Sequence, residues 1–203
     1  MPNPEPFVLL PLGLALTACA TGTVGPVERP ATWASPVATE SLSNCYRVAP
    51  GLYRCAQPSD DGMRELERLG IRSVVNLRQL HSDRDEVDGT GLVSFEVPLG
   101  TSDLSYRDLV AALAAVVAAP EPVAVHCWRG SDRTGAVVAA WRVAIDDWAP
   151  AAALDEMCRG GYGHSAWFGN LRVLVAGLDP DRLRRDLAAF DSSAGKSHGS
   201  RPQ

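Results

Sequence analysis

The residues with the most chemical content run from Val123 to Gly135, VAVHCWRGSDRTG, where an apolar run surfaces into His126, Cys127, two glycines and two arginines. The spacing predicts a short buried strand over Val123–His126 and a helix from Arg133 to about Asp147, joined by a tight loop. A loop that feeds a helix N-terminus leaves backbone N–H groups unpaired, and the helix dipole favours an anion there. Gly130 can take the backbone angles of a concave loop, and Gly135 lets the new helix come close to the sheet. Arg133, six residues after Cys127, can offer a planar fork of donors to two oxygens of one phosphate. The same N–H groups would stabilise a thiolate at Cys127, making it a nucleophile at the base of a phosphate-sized nest.

The elements that must position this loop alternate along the chain. Cys45–Val48 and Leu52–Cys55 read as strands of a hairpin around Ala49-Pro50-Gly51. A three-residue loop would set Val48 opposite Leu52, Arg47 opposite Tyr53 and Cys45 opposite Cys55, leaving a disulfide or a reduced pair in the core as alternatives. Ser59 or Asp60 can cap a helix that ends before Gly70. Strands are expected over Ile71–Leu77 and Leu92–Val97, and helices over Leu104–Ala119, Pro150–Cys158, Phe168–Ala176 and Asp181–Phe190. The expected fold is α/β, a central and mostly parallel sheet flanked by helices, with the loop between the last core strand and a helix. Ligands bind such sheets at the carboxyl ends of the strands.

His126-Cys127-x5-Arg133-Thr134-Gly135 resembles the His-Cys-x2-Gly-x2-Arg-Ser/Thr-Gly signature of cysteine-dependent protein tyrosine phosphatases. Leu52-Tyr53-Arg54-Cys55-Ala56-Gln57-Pro58-Ser59 and Gly70-Ile71-Arg72-Ser73-Val74-Val75-Asn76-Leu77-Arg78 are similar to segments of the bacterial dual-specificity-like branch. The resemblance covers about Asn44 to Phe190. It implies hydrolysis of a phosphomonoester through a phosphocysteine, with no metal and no cofactor. It makes Cys127 the nucleophile and assigns the phosphate oxygens to Arg133 and the N–H groups of the loop Trp128, Arg129, Gly130, Ser131 and Asp132. Thr134 would steady the thiolate as leaving group, and His126 would orient the loop. The general acid expected from the resemblance is Asp103, on the loop before a helix, twenty-four residues ahead of Cys127; capping that helix is its alternative role. Asp83, Asp85 and Asp88 are weaker candidates, expected to be solvated.

Trp128 could stack on substrate or pack on a neighbouring loop, and Arg78 could fix a loop or pair with a surface carboxylate. Asp132 beside Arg133 lowers the positive charge of the loop, which disfavours substrates carrying many phosphates. Gly160–Trp167 is expected to form a mobile rim in which His164 is structural. Rhodanese-type sulfurtransferases lack this His-Cys-x5-Arg spacing. The low-molecular-weight phosphatases place their loop near the first strand. A silent phosphate-binding module and a phosphatase for inositol or lipid phosphates stay open.

The chain has 203 residues, 46% of them apolar and 21% charged, enough for one domain. Its net charge of −5, with no cationic cluster beyond local arginines, argues against a nucleic-acid binder. The apolar run Phe7–Ala18 is too short to span a bilayer and fits the core of a signal peptide. Leu16-Thr17-Ala18-Cys19 resembles the lipobox of bacterial lipoproteins, which implies cleavage before Cys19, lipidation of Cys19 and a membrane anchor in the cell envelope facing the extracytoplasmic side. Expected domains are a signal peptide over 1–18, a flexible tether over 19–43, a monomeric phosphatase domain over 44–190 and a disordered tail over 191–203.

Overall fold

The computed structural model describes residues 29–197. Cys19, the expected signal peptide and residues 198–203 lie outside the described residues. Six strands form one sheet: β1 (Ser35–Pro36), β2 (Tyr46–Ala49), β3 (Leu52–Cys55), β4 (Ser73–Asn76), β5 (Val93–Glu96) and β6 (Val123–His126), in the order β1-β2-β3-β6-β4-β5. β3, β6, β4 and β5 run parallel to one another, and β2 and β1 extend the sheet antiparallel. Six helices complete the chain: α1 (Asp60–Arg68), α2 (Tyr106–Ala118), α3 (Asp132–Ala144), α4 (Pro150–Arg159), α5 (Gly169–Ala176) and α6 (Pro180–Ser197).

The helix boundaries follow from local chemistry. Ser59 caps α1, its Oγ accepting from the Gly62 N–H, and Gly70 at φ +82° carries the chain out of the helix. Ser105 and Asp108 cap α2 reciprocally, and the helix stops before Pro120. Ser105 thus takes the capping role that was the alternative for Asp103. All four residues of β4 and of β6 are buried, because both faces of the sheet are covered. Val75, Val123 and Val125 belong to the larger core under α2, α3 and α6, while Val74 and Ala124 join Met63 and Leu66 of α1 in the smaller one. Adjacent residues of a strand point to opposite faces, so β4 and β6 supply both cores. In α3 every residue except Arg133 is buried, which accounts for its run of Ala, Val and Gly.

The parallel register puts Cys55, His126, Asn76 and Glu96 in one row across the carboxyl edge of the sheet. That row is the foundation of the site.

Several expectations change. The hairpin turns on Pro50–Gly51 alone, with Ala49 opposite Leu52 and an irregularity at Val48 that keeps Arg47 opposite Tyr53. Cys45 and Cys55 are free, both buried in the smaller core. Burial pushes the Cys45 thiol up to about 11 and Cys55 well above its ordinary value. The folded unit starts before residue 44: β1 joins the sheet, and Trp33, Ala34 and Leu42 are buried. Glu156 explains the attachment, accepting from the Ala34 N–H, from Tyr162 Oη and from both Nε and Nη2 of buried Arg142. α6 continues through Ser197, past the point where a disordered tail was expected.

Candidate active site

The loop from Cys127 to Ser131 leaves the end of β6 and enters α3. Its carbonyl oxygens are occupied from outside. Trp128 O accepts from the Gln57 N–H at 3.2 Å, Arg129 O from Asn44 Nδ2 at 2.8 Å, and Gly130 O from Arg54 Nη2 at 2.6 Å. A trans peptide sets N–H opposite to C=O, so the N–H groups of residues 129, 130 and 131 face the interior of the loop. This is how the framework builds an anion nest: it binds the carbonyls and leaves the donors inward.

Gly130 has φ +68°, and a Cβ there would lie 2.3 Å from Cys55 O, so the loop rests on the end of β3 and admits no side chain. Gly135 serves a different contact from the one expected: its close neighbour is Met157 of α4, 2.9 Å from where a Cβ would stand. Cys127 is buried at the base of a cleft of about 310 Å³ whose walls include Thr101, Trp128, Arg133 and Phe168. Arg133 is steadied by Leu77 O and Leu99 O, at 3.3 and 3.2 Å from Nη1. Thr134 Oγ1 is fully buried with no hydrogen-bond partner, one residue beyond Arg133 at the start of α3.

Three buried side chains of the site make contacts that the sequence did not suggest. Asp83 was expected to be solvated. It is fully buried, and its Oδ2 accepts from His126 Nε2 at 2.6 Å. Its Oδ1 accepts from Gln57 Nε2 at 2.8 Å and Asn76 Nδ2 at 3.1 Å. Glu96 completes the seat by accepting from the Asp83 N–H and from Asn76. Burial pushes the Asp83 carboxyl up, but the bond and charge of His126, with Gln57 and His81, outweigh it and hold it below the usual carboxylate range. An ionised Asp83 calls for a proton on His126 Nε2, which ties the start of the loop to a buried carboxylate. Arg54 is fully buried beneath the loop, 3.7 Å from the Tyr162 ring centroid. Burial lowers its pKa, opposed by Tyr162, Glu156 and Cys127. Tyr162, itself 2% exposed, anchors the rim, its carbonyl taking bonds from Ser131 Oγ and Asn44 Nδ2.

The rim Gly160–Trp167 is therefore pinned at Tyr162. Asp132 Oδ1 accepts from the Ser165 N–H and lies 2.9 Å from His164 Nδ1, whose imidazole burial holds below its ordinary range despite the carboxylate. Trp128 packs against the Arg78 guanidinium, 4.3 Å from its ring centroid.

Asp103 is on the expected loop but points elsewhere. Thr101 lines the cleft, whereas the Asp103 carboxylate is exposed and curls over the Gly100 backbone. Asn170 Nδ2 holds this loop by Thr101 O and Ser102 O, at 2.9 and 3.2 Å. Among the described residues, His81, Asp83 and Glu86 have ligand-type atoms within 4.8 Å of one another. Both Asp83 oxygens are already engaged by other side chains, and His81 Nε2 lies 3.0 Å from Glu86 Oε1.

Residues 48–147 match the family described as "Polymorphic toxin system, DSP-PTPase phosphatase". The chain is 31% identical to the dual specificity protein phosphatase TpbA of Pseudomonas aeruginosa strain UCBPP-PA14, over 93% of this chain and 89% of that one. A crystal structure of P. aeruginosa TpbA superposes with a TM-score of 0.71 at 31% identity, covering 79% of this chain and 99% of that one. The catalytic core of the Saccharomyces cerevisiae PP-IP phosphatase SIW14 shares the fold, with a TM-score of 0.64 at 21% identity over 76% of this chain and 96% of that one. With the nest, its cysteine and its arginine in place, the chain belongs to the dual-specificity protein phosphatase family and is a phosphatase of the cysteine-dependent kind.

Proposed function

We propose that Cys127 Sγ attacks the phosphorus of a phosphomonoester held by the inward N–H groups and Arg133. The P–O bond to the leaving group breaks as S–P forms, and the leaving oxygen takes a proton from Asp103 after its loop swings inward. Water then attacks the phosphocysteine, returns a proton to the Asp103 carboxylate, and releases phosphate and the Cys127 thiolate. Arg133 and the loop donors stabilise charge on the equatorial oxygens, which is where the rate gain arises. The observation that carries this reading is the outward bonding of three consecutive loop carbonyls above a buried cysteine. A TpbA structure in complex with phosphotyrosine supports an aryl phosphate as the first probe. Release of phosphate from p-nitrophenyl phosphate should fall by about 10⁴-fold or more in Cys127→Ser. Equal rates would reduce the site to a phosphate-binding module.

The placement of the enzyme is part of the proposal. The apolar run Phe7–Ala18 ahead of Cys19 supports a lipid-anchored, extracytoplasmic phosphatase. Metabolic labelling with a radiolabelled fatty acid should mark the wild type and not Cys19→Ala; labelling of neither sinks the anchor. In such a compartment the Cys127 thiolate is prone to oxidation, and activity should rise with added reductant.

A further inference from the structure

A second cleft, of about 280 Å³, adjoins the catalytic one and shares two of its walls, Trp128 and Arg133. Its far side is formed by Arg78 with Gln79 and Leu80. We propose that this cleft binds a second phosphoryl group of the substrate, so that the preferred substrates are compact small molecules carrying two or more phosphates. This rests on the phosphatase reading above and specifies its substrate class.

The guanidinium of Arg78 is held in place before any ligand arrives. Nη1 donates to Gln57 Oε1 at 3.1 Å, and its face lies against Trp128. Gln57 is in turn fixed through Nε2 to Asp83 Oδ1. Among the described residues, no carboxylate forms a salt bridge with Arg78, Arg129 or Arg133, in a chain whose net charge is −5. An uncompensated, preoriented guanidinium beside a phosphate nest is a donor set waiting for an anion. The one acidic side chain of the loop, Asp132, directs a carboxylate oxygen to the rim, where Oδ1 accepts from the Ser165 N–H and lies against His164 Nδ1, and it forms no salt bridge with Arg78 or Arg133. Two clefts of this size sharing one arginine and one indole suit two phosphates on a single small scaffold. A peptide carrying one phosphate would leave Arg78 unserved.

Binding to full-length Cys127→Ser protein, measured by calorimetry, separates recognition from chemistry. Inositol 1,4-bisphosphate should bind about ten-fold or more tightly than inositol 1-phosphate, and adding Arg78→Ala should erase the difference, as expected for losing one charge-assisted contact. Arg78→Lys should restore part of it. In the wild type, the ratio of kcat/KM for the two esters should follow the binding ratio, through KM. Equal affinities, or a ratio that survives Arg78→Ala, overturns the second subsite. A singly phosphorylated tyrosine peptide that outcompetes the bisphosphate also overturns the proposed substrate class. Failure of the wild type to cleave p-nitrophenyl phosphate at all is a different result, which removes the phosphatase reading itself.

Discussion

The loops on either side of the catalytic cleft are built in opposite ways. The phosphate loop is tied down at every turn: Gln57, Asn44 and Arg54 hold its carbonyls, Cys55 supports Gly130, and Ser131 is bonded to the rim. The loop carrying Asp103 has an exposed acid and is held at Thr101 and Ser102 by the single side chain of Asn170. The contrast fits the demands of the roles proposed for the two groups. Donors that stabilise transition-state charge are effective only when already in position, because any reorganisation during reaction is a cost. A general acid has to reach the leaving group only once substrate is seated, so it can sit on a segment that moves.

Short of removing the nucleophile, the largest effect should come from the acid itself. Asp103→Asn is expected to lower kcat for phenyl phosphate by about 10³-fold, and far less for p-nitrophenyl phosphate, whose phenolate leaves without help. Steady-state kinetics on the two esters checks it, and equal losses on both would deny Asp103 the role. Gly130→Ala attacks the rigid side. The overlap with Cys55 O and the positive φ should displace the loop, costing about 10²-fold in activity and about 2 kcal/mol in stability, read from kinetics and urea unfolding.

Asp83→Asn tests what lies beneath that rigidity. The amide leaves an N–H₂ facing His126 Nε2, which must then shift its proton to Nδ1 to accept. A loss of about ten-fold in kcat is expected, with a changed imidazole signal in ¹⁵N NMR. The acid limb of stability should also flatten. The Asp83 carboxyl is held below its unfolded value, so its contribution is present above about pH 4 and is lost as pH falls through its lower folded value. Acid unfolding that is identical in wild type and variant would show that Asp83 adds nothing there. The smallest effect is that of Asn170→Ala, which frees the acid loop further. About three-fold in kcat is expected, with a change in unfolding free energy within about 0.5 kcal/mol, compared by the same assays. An effect matching that of Gly130→Ala would erase the distinction between the loops.

Much of this architecture was legible in the chain. Val123–His126 reads as a doubly buried strand because three apolar residues in a row, Val123, Ala124 and Val125, have no polar face to offer, and Ser59 and Gly70 mark helix ends by local chemistry. The nest was legible because Cys127, Gly130 and Arg133 lie within one loop, and local spacing decides which backbone groups go unpaired. Arg54 and Asp83 were not, since a charged residue is ordinarily solvated and its burial depends on partners distant in sequence. Asp83 reaches His126 across forty-three residues, and Arg54 reaches Gly130 across seventy-six. The short strand β1 was missed for a related reason: Ser35–Pro36 has no period of its own and is a strand only because β2 is beside it.

The sequence by itself determined the reaction class and the parallel sheet, because nucleophile, arginine and flanking strand are contiguous and their chemistry is local. Only the tertiary structure decided how the nest is held open, which carboxylate sits behind His126, and that Arg78 faces a second cleft beside Arg133. Those facts depend on the register that brings Cys55, His126, Asn76 and Glu96 into one row, and register is set by long-range packing of both sheet faces.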